Sequence, residues 1–170
     1  DVDVELVGHA VAMETLVLLH GFGGTGASWD AVRAQLPAET YRPLAPDLPG
    51  HGTASARRPC TIEACVDYVL ALAPDRFALA GYSMGGRVAL ALAARAPERV
   101  TALGLVATTA GLDDPAARAA RREADEELAG WIAAHDLAAF ADRWLGQPLF
   151  AGDPPAAQAA ARADIARNTP

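Results

Sequence analysis

Short apolar runs, separated by clusters of turn formers, alternate through the first two thirds of the chain with segments whose apolar residues recur every three or four positions. Thr15–Leu19 (TLVLL) is nearly continuous in apolar character, the pattern of a strand buried on both faces of a sheet. Tyr41–Ala45, Phe77–Ala80 and Val100–Val106 repeat that pattern as buried strands, and Val4–Val7 is a further short candidate. Between them, Ser28 is placed to cap a short helix over Trp29–Leu36. Thr61–Ala73 carries Ile62, Val66, Val69 and Leu70 on one side, which predicts a helix, and Arg87–Arg95 predicts another. His20–Gly26 is rich in glycine and Pro46–Gly52 in turn formers. Strands and helices alternating across short connections specify a mostly parallel sheet with helices on both faces.

The pattern changes after Ala110. Asp114-Pro115 is an N-cap followed by a proline in the first helical turn, and a charged helix is predicted from there to about Ala129. Two further helical stretches follow, Leu137–Leu145 and Pro154–Arg167, the second with the same start signal at Asp153-Pro154. No strand pattern returns. The expected organisation is an α/β core over residues 1–110 and a helical lid over residues 111–170.

Composition narrows the partners. The chain has 170 residues, enough for one domain or part of a larger one, and 52% of them are apolar, so a sizeable core can be buried. The net charge is −7, and all 14 basic residues are arginine. An acidic, lysine-free chain offers no basic stripe for nucleic acid or for an anionic membrane surface. No apolar run approaches the roughly 20 residues that span a bilayer, and the acidic start DVDVELVGHA is unlike a secretory signal. Cys60 and Cys65 match neither a CxxC pair nor a zinc spacing and are expected as reduced thiols of a cytoplasmic protein. No metal-binding or dinucleotide fingerprint occurs, so no cofactor is expected.

The chemistry concentrates in two motifs. Gly81-Tyr82-Ser83-Met84-Gly85 fits G-x-S-x-G, led into by the apolar Phe77–Ala80 and followed by a helix rich in Ala and Leu. That strand–turn–helix setting gives the pattern its meaning: a very tight turn holds the Ser83 hydroxyl above the sheet edge, and small neighbours let the helix pack close. The helix N-terminus favours negative charge beside Ser83. The second motif, Leu18-Leu19-His20-Gly21-Phe22-Gly23-Gly24, directly follows a buried strand. Its Phe22 N–H and the N–H of Met84 would together form an oxyanion hole. Asp47 and His51, in the Asp47–Gly52 turn, read as loop anchors.

Together these residues resemble the α/β-hydrolase superfamily over nearly the whole chain. GYSMGGR with Arg87, Ala110–Asp114, Ala119–Asp125, Trp144 followed by Gln147–Phe150, and a late Arg-Asn are similar to the 2-succinyl-6-hydroxy-2,4-cyclohexadiene-1-carboxylate synthase family of menaquinone biosynthesis. The resemblance implies a lyase that eliminates pyruvate from an enolpyruvyl-cyclohexene precursor. In it the Ser83-centred constellation works in proton abstraction, and the oxyanion hole holds the charge that develops. The implied substrate is a small polycarboxylate. A chain of charge −7 must grip it with local arginines, whose planar forks suit carboxylates. By resemblance the clamps are Arg87, Arg121 and Arg167, with Tyr82 and Trp144 in the pocket wall. From spacing alone, Arg121 equally pairs with Asp125, and Arg118 and Arg122 read as solvated.

In this fold the chain order is Ser, then an acidic residue, then His. His9, His20 and His51 precede Ser83, and His135 is in the lid region. The expected acid and His therefore fall beyond residue 170, the C-terminal strands are missing, and the chain is read as the N-terminal portion of an enzyme. Made alone, it is expected to expose an apolar edge at Val100–Val106, to self-associate and to be inactive. Two other readings stand beside the lyase: a serine ester or thioester hydrolase of the same fold, and an inactive hydrolase-like binding module.

Overall fold

Four parallel strands form one sheet in the order β2-β1-β3-β4: β1 (Glu14–Leu19), β2 (Tyr41–Leu44), β3 (Phe77–Tyr82) and β4 (Val100–Val106). The computed structural model describes residues 13–169, so the candidate strand Val4–Val7 and His9 lie outside the described residues. Parallel neighbours need crossover connections. These are α1 (Asp30–Arg33), α2 (Ile62–Leu72) and α3 (Met84–Arg95). The chain leaves β1 toward β2, then crosses back over β1 to β3 and continues outward to β4. Right-handed crossovers in those directions put α2 and α3 on one face and α1 on the other. The reversal lies between β1 and β3, and the crevice at their carboxyl ends is where open α/β sheets bind ligands.

The main core fills the α2–α3 side. Val17, Leu19, Phe77 and Leu79 of the strands meet Cys65, Val66 and Val69 of α2 and Val88, Ala89 and Leu92 of α3, all buried. Each large side chain so buried contributes about 1.5–3 kcal/mol. Helix α2 starts where the sequence places it, because the Thr61 hydroxyl accepts from the Ala64 N–H at 3.2 Å. Its far end is tied by Arg99, whose guanidinium donates to the carbonyls of Leu70, Ala73, Pro74 and Asp75 and lies over the Phe77 ring.

Two sequence expectations change, and the open edge expected at Val100–Val106 is seen. Ser28 does not cap a helix: Thr25 caps the preceding 3-10 turn Gly26–Trp29, and the Ser28 hydroxyl donates to Asp164 instead. Helix α3 begins at Met84, not Arg87, because the glycines after Ser83 are already helical. Strand β4 is not buried among the described residues. It pairs only with β3, and Leu103, Leu105 and Val106 are 39%, 43% and 49% exposed, the open apolar edge expected of this stretch.

After β4 the described residues are helical: α4 (Pro115–Ala133), α5 (Leu137–Leu145) and α6 (Pro155–Ile165). Asp114 caps α4 through the N–H groups of Ala116 and Ala117, and Asp136 caps α5 through that of Ala139. Asp153 caps nothing; Pro154 holds the N-cap position of α6, with no side-chain bond. A second, small core joins Phe140, Ala141 and Ile165 to Trp131, Ile132, Trp144 and Leu145. Among the described residues no helix is long and apolar enough to cross a membrane.

Candidate active site

Ser83 sits on the bend between β3 and α3 with φ 52° and ψ −113°, a backbone region that costs an ordinary residue energy and persists only where the surroundings enforce it. Those surroundings are visible. The Ser83 N–H donates to the Val106 carbonyl at 2.9 Å, and its carbonyl accepts from the N–H groups of Gly86 and Arg87 and from the Thr108 hydroxyl. The end of β4 thus clamps the bend from both sides. A Cβ at Gly85 would collide with the carbonyl oxygens of Leu19 and His20, and one at Gly81 would collide with the backbone of Gly85 and Gly86. The small residues of G-x-S-x-G let α3 enter against the end of β1.

The loop after β1 lies alongside. A Cβ on Gly21 would stand 2.9 Å from the Tyr82 ring and 3.5 Å from the Ser83 Cβ. His20 is fully buried: its Nε2 accepts from the Leu48 N–H at 2.9 Å, so Nδ1 carries the proton and donates to the Gly21 carbonyl at 2.8 Å. A trans peptide points its C=O and N–H in opposite directions. Fixing the Gly21 carbonyl therefore fixes where the Phe22 N–H points. Among the described residues, neither that N–H nor the Met84 N–H is bonded to a protein acceptor. Trp144 of α5 packs on Phe22 at 5.4 Å between ring centroids, and Phe140 packs at 6.0 Å, so the helical segment reaches this loop.

Burial pushes the His20 imidazole down to about 4, against 6.5 for an ordinary histidine, and the bond to Gly21 only partly offsets that. An unfolded chain takes up this proton as the pH falls below about 6.5, whereas the folded chain resists until about 4. The contribution of His20 to stability is complete above about 6.5 and is lost across that window, by roughly 2 kcal/mol at pH 5. Burial lowers His51 as well, so it adds a slope of the same sign. Urea denaturation at pH 7 and pH 5 is expected to show this loss, and His20→Gln is expected to remove most of it. Asp47 acts in a more acidic range. Burial would raise its carboxyl, but the donors Gly26 N–H, Thr53 hydroxyl and Thr53 N–H outweigh that and hold it below its usual value.

The arginines divide. Arg87, one helical turn after Ser83, lines a hollow of about 760 Å³ together with Leu90 and Ala91 of α3 and with Arg118, Arg121, Arg122, Asp125 and Glu126. Arg121 also pairs with Asp125 at 2.8 Å, and Arg118 donates to the carbonyls of Leu112 and Asp113. Ser83, Phe22 and Met84 do not line that hollow. Arg167 is elsewhere: it lines a separate cleft with Thr25, Asp47 and Thr53, 3.7 Å from Asp164. The structure therefore brings Arg87 and Arg121 together but leaves Arg167 out, because α6 ends over the loop after β1 and not beside α3.

The model of the alpha/beta hydrolase fold family matches residues 14–156. The chain belongs to that family. Among its relatives, the 2-succinyl-6-hydroxy-2,4-cyclohexadiene-1-carboxylate synthase of Enterobacter sp. (strain 638) is 37% identical over 144 residues, 80% of this chain and 54% of that protein. A pimeloyl-[acyl-carrier protein] methyl ester esterase of Aromatoleum aromaticum is 47% identical over 94 residues, 55% of this chain and 37% of that one. The solved structure of MenH from S. aureus superposes with a TM-score of 0.82 at 26% identity, over 91% of this chain and 61% of that one. The chain thus spans about half the length of the curated relatives it matches.

As a member of the α/β-hydrolase family, the chain has its serine bend and glycine loop where the sequence motifs put them. No histidine among the described residues bonds the Ser83 hydroxyl: His20 and His51 are held in the loops, and His135 stacks on Trp131 at the end of α4. Sequence reasoning missed Thr108, which carries no signal beyond following a strand. It also missed Asp164, a buried carboxylate that accepts from the Thr25 N–H at 2.9 Å and from the hydroxyls of Thr25 and Ser28. An aspartate late in an Ala-rich helix looks solvated until its partners, 136 and 139 residues earlier, are known.

Proposed function

We propose that this chain is the nucleophile-bearing and carboxylate-gripping part of a 2-succinyl-6-hydroxy-2,4-cyclohexadiene-1-carboxylate synthase. In that reaction a ring proton is removed, the C–O bond to the enolpyruvyl group breaks, a ring double bond forms, and the departing enolpyruvate takes up a proton to become pyruvate. Ser83 stands at the centre of the proton abstraction. The N–H groups of Phe22 and Met84 hold the oxyanion that develops, and Tyr82 and Trp144 wall the site. Helices α4–α6, read as a lid, cover it. Arg87 and Arg121 take the substrate's carboxylates as charge-assisted pairs.

The observation that carries this reading is the arginine-lined hollow that begins one turn after the serine. Arg121 pairs there with Asp125 and Arg118 with backbone carbonyls, while Arg87 has no protein partner among the described residues, which suits an anionic substrate better than a neutral ester. The similarity to the synthase agrees, because a match over 80% of the chain must run past β4 into α4, which bears Arg121. A second reading, a methyl ester hydrolase in which Ser83 forms an acyl-enzyme, draws on the higher identity to the esterase over a shorter stretch.

Competing substrates separate the two. The intact gene product is assayed for pyruvate release from the enolpyruvyl-cyclohexene carboxylate and for hydrolysis of a neutral methyl ester. The expected result is a kcat/KM at least about 100-fold larger for the carboxylate substrate. A preference for the ester would establish the hydrolase instead.

A further inference from the structure

The last turn of α6 and the residues just after it hold the loop that carries Phe22. Asp164 is 6% exposed, and its carboxylate accepts three hydrogen bonds, from the Thr25 N–H, the Thr25 hydroxyl and the Ser28 hydroxyl. Four residues on, the Asn168 side-chain NH2 donates to the Gly23 carbonyl at 2.8 Å, while its oxygen accepts from the Gly52 N–H at 2.9 Å. Ile165, also buried, packs 3.8 Å from where a Cβ on Gly23 would stand. The loop is therefore pinned on both sides of Phe22. His20 holds the Gly21 carbonyl on one side, and Asn168 and Asp164 hold the Gly23 carbonyl and Thr25 on the other. Between these points lie Gly23 at φ 76° and Gly24, whose N–H closes the turn on the Gly21 carbonyl at 3.1 Å.

We infer that Asp164 and Asn168 are positioning residues for the Phe22 N–H, so that docking of the α6 end holds the far side of the loop whose near side His20 fixes at the Gly21 carbonyl. This inference rests on the oxyanion role given to Phe22 above. Hydrogen bonds aimed at developing charge act through fixed geometry, and a donor free to swing loses most of that effect. Substrate grip through Arg87 and Arg121 involves neither residue, so the expected signature is a loss of kcat with little change in KM.

The test uses Asn168→Asp, which keeps the acceptor for Gly52 but replaces the donor to Gly23 with a repelling carboxylate, and Asp164→Asn, which keeps the side-chain volume. Thr25→Ser serves as the conservative control because it keeps the hydroxyl. In the intact gene product each of the first two is expected to lower kcat about 30-fold with KM within threefold and the thermal midpoint within a few degrees, while Thr25→Ser stays near wild type. Amide hydrogen exchange is read in parallel. The hydrogen-bonded amides of Gly24 and Thr25 are expected to exchange about tenfold faster in Asn168→Asp, with β1 unchanged. Unchanged kcat in Asn168→Asp, or a loss of kcat that merely tracks a fallen midpoint, would overturn the inference. Ser83→Ala separates the two levels. If it stays active, the serine-centred reading fails and loop exchange alone decides the latch: faster exchange at Gly24 and Thr25 upholds it, and unchanged exchange ends it.

Discussion

Arg87→Ala is expected to lower pyruvate release by about 100-fold, most of it through KM, while hydrolysis of a neutral methyl ester by the same protein changes less than threefold. The size follows from removing one charge-assisted bidentate pair to a substrate carboxylate, about 2–3 kcal/mol. The split follows from position. Arg87 is exposed, lines the hollow beside Arg121 and supports no element of the fold by ion pair or side-chain hydrogen bond among the described residues. Its loss is therefore not expected to move the urea midpoint. Arg87→Lys is expected to recover only part of the activity, because a point charge replaces the planar fork. Equal losses on both substrates would show that Arg87 serves the bend itself and not a carboxylate.

Gly85→Val is expected to remove roughly 3–5 kcal/mol of stability, enough to unfold most small domains. Its side chain would be driven into the carbonyl oxygens of Leu19 and His20, where backbone, not a flexible side chain, stands in the way. Either α3 lifts from β1 or the Ser83 bend opens, and each outcome destroys the site. Gly130, inside α4 with nothing within 4 Å of its would-be Cβ, provides the contrast: Gly130→Ala is expected to stabilise by about 0.5–1 kcal/mol. Urea denaturation of both variants beside the wild type checks the pair.

Local signals carried much of this structure. Thr61 and Asp114 start their helices as read, and the four buried-type runs became the four parallel strands, because caps and apolar runs act over a few residues. The serine bend was legible because its strand, turn and helix follow one another within a few residues, although Gly85 is demanded by the distant carbonyls of Leu19 and His20. Contacts across long stretches of chain were not legible. Ser28 looked like a cap because hydroxyls favour that role, but a buried aspartate 136 residues later outbid the helix end. Arg167 was grouped with Arg87 and Arg121 through resemblance, yet α6 delivers it to the cleft by Asp47. Which arginines share a hollow is told only by the path of the chain.

The most direct measurement is pyruvate release from the enolpyruvyl-cyclohexene carboxylate by the intact gene product and by its Ser83→Ala variant, with folding of both checked by circular dichroism. Release by the wild type, falling by about 1,000-fold or more in the variant while the fold is kept, is the expected result. Release by Ser83→Ala within tenfold of the wild type would contradict a serine-centred site.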